Sequence, residues 1–409
     1  RKGRHQKERT QRAGVVRSRL DPDFPLCYTS FDTCVMEVCM KGRTKRILNM
    51  ALIFGTLAIV LLIGLNDNSL GDAWIAVRSM NPFWVTLAIL CFLGYMMMDA
   101  VAIHFFLRRQ GYHVPFLSVC FIAVVGQYYS NITPGASGGQ PMQIYYLHKH
   151  DVPTAIATSA ISVRFICFQV MLSVFATVFW IVYGGYINEH VGSYRWILIV
   201  GYVYNVVMVT GVVFLALSKN LIKRIIAFGV GIGTRFHWIK RPEAVSNRLN
   251  QAVDVFHDSL ISFKNRSGDF VVQMVIGAIQ LQFLMSIIYC VYRGLGLHEE
   301  KYLHLVALNV MEFISAAYTP LPGASGAQEG VFSVYFGGVF PAGKAFAALL
   351  LWRFFTYYIS LLLGGIVVVI RGVREGKSLR QVAHEGNQVI EGVEPEAIME
   401  VGKQTNRDT

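Results

Sequence analysis

The chain has 409 residues, with 37 Lys+Arg against 25 Asp+Glu and a formal net charge of +12. Hydrophobic residues make up 54% and charged residues 15%, well below the roughly 25% charge of globular chains. That composition excludes a soluble enzyme, which would expose too much apolar surface, and its Leu, Ile, Val and Phe exclude a disordered chain. The remaining class is an all-α polytopic membrane protein. The basic excess then points to cytoplasmic loops beside anionic lipid, not to nucleic acid.

In chain order, residues 1–46 form a basic segment with twelve Lys and Arg. Cys27, Cys34 and Cys39 lie there at no zinc-binding spacing, so no metal site is expected. Apolar runs follow at 47–65, 83–107, 154–183, 196–217, 270–291 and 344–370. A crossing takes about 20 residues, so these six read as full transmembrane helices. The run at 47–65 is too long for a signal-peptide core and lacks a small-residue cleavage site. Two further runs, 116–132 and 303–318, stop at Pro- and Gly-rich breaks, and each is followed by a short apolar piece, 142–147 and 331–339. Between 243 and 264, Val245, Leu249, Ala252, Val253, Phe256, Leu260 and Phe263 recur at helical spacing opposite Arg248, Asp254 and Asp258. That pattern predicts an amphipathic helix lying on the inner leaflet. A tail, 372–409, closes the chain.

The two breaks are copies of each other. Pro134-Gly135-Ala136-Ser137-Gly138-Gly139-Gln140 recurs as Pro322-Gly323-Ala324-Ser325-Gly326-Ala327-Gln328, at an offset of 188. Pro153 meets Pro341 at the same offset, and Arg164-Phe165 meets Arg353-Phe354 one residue later. Repeat 1 therefore covers about 83–183 and repeat 2 about 270–371, joined by a linker at 218–269. Interrupted segments in corresponding positions of two halves are the mark of transporter repeats.

Loop charge sets the orientation. The linker carries nine Lys and Arg, and Arg371, Arg374, Lys377 and Arg380 follow the last run. With the N-terminal segment, these belong in the cytoplasm, so both termini are cytoplasmic. If 116–147 crossed once, the basic linker would land outside. It lands inside only if the first broken unit is a re-entrant hairpin entered from the cytoplasm and the second one entered from outside. The expected fold is about six full transmembrane helices plus two inverted-repeat re-entrant hairpins within 47–371.

Irregular backbone at membrane depth is tolerated only when buried in protein or facing a wet cavity. The short piece after each break presents the amides of a helix N-terminus, which suits an anion such as a lipid phosphate; the alternative is a tight packing joint. Arg164 and Arg353 lie within spans, where a charge costs at least about 3 kcal/mol. Asp99, Glu312 and Glu329 are the candidate acids. Each Arg either pairs with an acid to lock the bundle or holds a lipid phosphate. Gln140, Gln328, Ser137 and Ser325 are the polar candidates at the breaks, alongside the hairpin residues Pro134, Gly135, Gly138, Pro322, Gly323 and Gly326. Gln127, Asn131, Thr133, Gln143, Asn309, Ser315 and Thr319 complete the polar set.

The breaks at 133–140, followed by Pro141-Met142-Gln143-Ile144-Tyr145-Tyr146-Leu147, and at 320–329 resemble the membrane domain of the lysylphosphatidylglycerol synthase/flippase proteins, the multiple peptide resistance factor family. The similarity covers about 45–375. It implies a plasma-membrane protein that moves an aminoacylated phosphatidylglycerol from the inner to the outer leaflet and confers resistance to cationic peptides. Full-length members add a soluble domain that transfers lysine from lysyl-tRNA to the lipid; the stretch after residue 370 is too short to be that domain. Where many relatives carry Gly-Glu and a downstream Arg in the first motif, this chain has Gln140 and Gln143, while the second copy keeps Glu329. No nucleophile–base pair is visible. The expectation is a phospholipid flippase with no catalytic residue, no cofactor and no nucleic-acid partner. The alternative is the membrane portion of a phosphatidylglycerol lysyltransferase working with a separate lipid aminoacyltransferase; a homo-oligomer stays open.

Overall fold

A computed structural model describes residues 71, 75, 77–235, 242–264, 266–316, 319 and 321–370. The expected first span at 47–65, the basic N-terminal segment with its three cysteines, and the tail at 372–409 lie outside the described residues. The described chain is α-helical: α1 (Pro82–Arg109), α2 (Phe116–Ile132), α3 (Gly139–His148), α4 (Thr154–Val191), α5 (Arg195–Leu217), α6 (Lys219–Arg235), α7 (Pro242–Lys264), α8 (Ser267–Gly294), α9 (Tyr302–Ala316), α10 (Ala327–Phe336) and α11 (Ala342–Arg353). A π-helical turn, Phe354–Tyr358, extends α11, and helix continues to residue 370.

Four stretches are long and apolar enough to cross a membrane: Pro82–Arg109, Thr154–Phe214, Ser267–Gly294 and Gly343–Ile370. The second holds both α4 and α5. These turn at Gly192, which takes the left-handed φ of 52° that favours glycine. They then run antiparallel, since Ser173 bonds Asn205 and, one turn on, Thr177 bonds Tyr202. Helix α4 outruns its expected end at residue 183 by two turns. The polar composition of 184–190 ends the hydropathy signal, but Ile187 and Val191 are buried, so packing carries the helix past a kink at Tyr183 (φ −115°).

Helices α1 and α8 form the central antiparallel pair. The Asn81 N–H donates to the Gly294 carbonyl, and Gln273 donates to the Ala102 carbonyl at the other end. Gly94 lets them approach, for a Cβ there would meet the Phe283 ring at 2.9 Å. Two apolar clusters divide the long helices end from end. One gathers Ala100–Leu107 of α1, Ile156–Cys167 of α4, and α2, α3 and the end of α7. The other gathers Met80–Met96, Leu172–Val191, and α8 through α11. The α2–α3 hairpin therefore packs at one end of the bundle and the α9–α10 unit at the other.

The amphipathic stretch is helix α7, and part of its apolar face packs on the bundle. Val253, Leu260 and Phe263 are buried. Phe263 packs on Phe106 at a centroid distance of 4.8 Å, and the Phe256 carbonyl accepts from Ser159 at 3.3 Å. The end of the stripe from Val253 to Phe263 thus meets the bundle, while Leu249 stays exposed. On its polar side Asp254 binds Lys223 at 2.7 Å and Lys219 at 3.0 Å, tying α7 to α6, a helix that the linker reading did not separate.

Candidate functional site

The two breaks share their Pro-Gly-Ala backbone and part at the glycine before the short helix, with Gly138 at φ −85° and Gly326 at φ 89°. Gly135 sits at φ 59°, ψ 26° and Gly323 at φ 59°, ψ 22°. The following alanines are also left-handed, Ala136 at φ 55° and Ala324 at φ 49°, a conformation that costs roughly 1–2 kcal/mol for a residue with a Cβ. The repeat read from sequence is thus a repeated turn. The two turns touch each other. Asn131, at the end of α2, donates to Ser360 beyond the π turn, and its carbonyl accepts from Tyr357 at 3.4 Å.

Helix α3 returns antiparallel to α2: Gly126 faces Gln143, and Phe121 packs on Tyr146. The amides opening each short helix are partly occupied. Thr133 Oγ1 accepts from the Gly138 N–H at 2.8 Å, and Glu329 Oε2 accepts from the Gly326 N–H at 2.6 Å. The second helix N-terminus is thus filled by its own carboxylate, as an acid at the third helical position should do.

Both arginines pair with an acid, from different sources. Arg353 donates through Nε to Glu329 Oε1 at 2.6 Å, through Nη1 to Gln328 Oε1, and through Nη2 to the Gly323 carbonyl at 3.2 Å and Ser325 Oγ at 3.4 Å. The Tyr357 ring lies 4.9 Å from the guanidinium. Its side chain is 3% exposed. Arg164 pairs instead with Asp99 of α1. Asp99 also accepts from Gln280 at 3.0 Å and from Gln143 at 3.3 Å. The Arg164 side chain is 15% exposed, and its buried Nε has no hydrogen-bond partner among the described residues.

The expected residues thus divide. Arg353, Glu329, Gln328, Ser325 and Gly323 form one cluster, and Gly326 caps it. Arg164 and Asp99 form the second. Glu312 joins neither as an ion pair. Ser137 is exposed at the first turn, and Gln140 is half-buried at the start of α3. Gln280 was missed because it lies in a run read only as a span. Its signal was present: Gln273 and Gln280 are two turns apart on one face of α8, both buried, and buried amides need partners. Tyr357 and Ser360 were missed because nothing in the apolar run 344–370 marks the face that meets α2.

A helical bundle with several apolar spans, two helix breaks in contact and two buried Arg–acid clusters defines a multi-pass membrane protein. A sequence profile described as the lysylphosphatidylglycerol synthase TM region matches residues 47–364, and the chain belongs to that family. It is also similar to the UPF0104 membrane protein MJ1595 of Methanocaldococcus jannaschii, 23% identical over 294 residues, which cover 71% of this chain and 85% of that protein.

Proposed function

We propose that the chain moves an anionic or aminoacylated phospholipid, of the lysylphosphatidylglycerol type, between the leaflets of the plasma membrane. The observation that carries this reading is the meeting of two left-handed Pro-Gly-Ala turns from opposite ends of the bundle, together with the buried Arg353–Glu329 pair and the part-buried Arg164–Asp99 pair. In this reading the two units are re-entrant hairpins inserted from opposite faces, within a bundle of six crossings with cytoplasmic termini. Contact between the two turns separates the two sides.

A headgroup needs a cation that the protein has not fully used. Arg353 spends Nε and both terminal nitrogens on protein acceptors. Arg164 retains an unpaired Nε and more exposure, so in this conformation it is the better seat for a phosphate, whose oxygens match the guanidinium fork. Ser137 and Gln140, the polar side chains of the first break, would supply further headgroup contacts. Opening of the second break would free Arg353 in turn. The family's description also supports a second reading, in which the chain is the membrane portion of a lysyltransferase acting with a separate lipid aminoacyltransferase.

The test is exchange of labelled phosphatidylglycerol and lysylphosphatidylglycerol across liposomes holding the purified protein. Wild type is expected to speed exchange, and Arg164→Ala, Arg353→Ala and Glu329→Gln to slow it by more than they lower folded yield. Wild type that moves no lipid across a broad headgroup panel would overturn the transport reading. Lysyl-lipid formed only when a soluble aminoacyltransferase and lysyl-tRNA are added would favour the second.

A further inference from the structure

Glu312 lies ten residues into α9, about 15 Å along the helix. It has no exposed surface, and neither carboxylate oxygen has a hydrogen-bond partner among the described residues. One turn earlier, on the same face, Asn309 is 2% exposed. Its Nδ2 donates to Met285 Sδ at 3.4 Å, and its Oδ1 is likewise without a partner among the described residues. The charged groups that act on Glu312 are the Arg353 guanidinium and the Glu329 carboxylate. The Tyr335 phenol of α10 is within reach of its charge and is already bonded to Ser315 at 2.9 Å.

Arg353 is committed to Glu329 and the turn. Glu312 therefore has a cation in range but not in contact, and a second carboxylate that opposes its charge. An ionised carboxylate left in such a place has neither water nor a pair to offset its desolvation. One bound proton removes that cost. When the second break opens and Arg353 leaves Glu329, Glu312 is the next acid its charge can reach, and that charge favours release of the proton.

We propose that Glu312 is a proton-binding site whose occupancy is coupled to the opening of the second break. In the conformation described here the carboxyl holds its O–H. On opening, the O–H bond breaks, the proton leaves to the side then exposed, and Arg353 balances the carboxylate. The link to lipid movement rests on the transport reading; the bound proton does not.

Two measurements test it. Dicyclohexylcarbodiimide is apolar and reacts with a protonated carboxyl, whose O–H adds across a C=N bond before rearranging to a stable acylurea. The full chain in liposomes should be labelled at Glu312, read by peptide mass, and Asp99 and Glu329, both ion-paired, should stay unlabelled. No label at Glu312 in the folded chain, with label there once it is denatured, would overturn the proposal. Because this is read on wild type, a misfolded variant cannot obscure it. In exchange assays, an imposed pH gradient should change the wild-type lipid exchange rate several-fold, and Glu312→Gln should lose that response whatever rate remains. Exchange indifferent to the pH gradient, or responsive only to sodium, overturns the coupling and leaves the transport reading standing. Absence of any lipid exchange overturns the transport reading and the coupling together, while the label still decides the proton site.

Discussion

The two breaks share a turn and differ in what surrounds it. At the second, the acid is local: Glu329 sits three residues after Gly326, caps α10 and holds Arg353, so turn, helix start and arginine form one closed unit. At the first, the corresponding helix starts with Gln140-Pro141, and the acid comes from another helix, Asp99 of α1, shared with Gln280 of α8 and Gln143 of α3. One arginine is locked by its own hairpin, and the other is held by the bundle with a donor to spare. Two copies of a motif can therefore share a Pro-Gly-Ala turn while one closes on its own arginine and the other is tied into the bundle.

The sharpest way to break this contrast is to remove each arginine in turn. Arg353→Ala strands Glu329 in a site 3% open on the arginine side, and breaking a buried pair costs about 3–5 kcal/mol. Thermal melting in detergent should show a large drop, which Glu329→Gln only partly shares because the amide still accepts from the guanidinium. Arg164→Ala should cost less, about 1.5–3 kcal/mol, the range for hydrogen bonds to a charged group, since two glutamines still serve Asp99. Equal losses at the two positions would contradict this contrast.

Next come the turns. Alanine at Gly323 meets the left-handed penalty and also the Tyr357 ring, for a combined loss of about 2–5 kcal/mol. At Gly135 nothing lies within 4 Å of the added Cβ, so only the backbone cost of about 1–2 kcal/mol remains. Adding Tyr357→Ala to Gly323→Ala should recover stability, and adding it to Gly135→Ala should not. The tie between α2 and the last helix should be weaker: a double-mutant cycle between Asn131→Ala and Ser360→Ala should give a coupling of about 0.5–1.5 kcal/mol, with a value near zero arguing that this bond does not hold the two helices together.

The smallest effect is expected in the linker. Hydrogen bonds from Lys223 and Lys219 hold the Asp254 carboxyl below its ordinary range. A lowered carboxyl favours the paired form above its free value, so the α6–α7 tie is lost only as pH falls through the depressed value. Asp254→Asn should loosen this helix pair slightly at neutral pH and change nothing in acid, where the wild-type tie is already lost, read by limited proteolysis across the pH range.

Much of this was legible. The breaks, their repetition, the arginine-bearing helices and the acids Asp99 and Glu329 all carry local signals, either Pro-Gly chemistry or a charge in an apolar run. The partner of each arginine was not, because pairing depends on which helices meet, and periodicity says only that a face is buried. The same limit explains α7, whose apolar stripe suits a leaflet or a helix bundle equally well. It also explains α4, where Ile187 and Val191 are buried inside a polar run that ends the apolar count. Thr133 and Glu329 filling the helix starts is local chemistry of serviceable capping residues, and it narrows the room for an anion at those amides.

The π turn after Arg353 has a geometric result. Ile359 N–H bonds to Phe354 rather than to the residue one position later, so the helix gains one residue over regular winding, which rotates everything beyond it by about 100°. Ahead of the turn, Arg353 faces the second break. After it, Ser360 meets Asn131 and Gly364 lies against Tyr128. A single spare residue thus changes the heading of one rod, so that its two lengths serve different halves of the molecule. Sliding that spare residue along the rod would swing one length while the other stays seated.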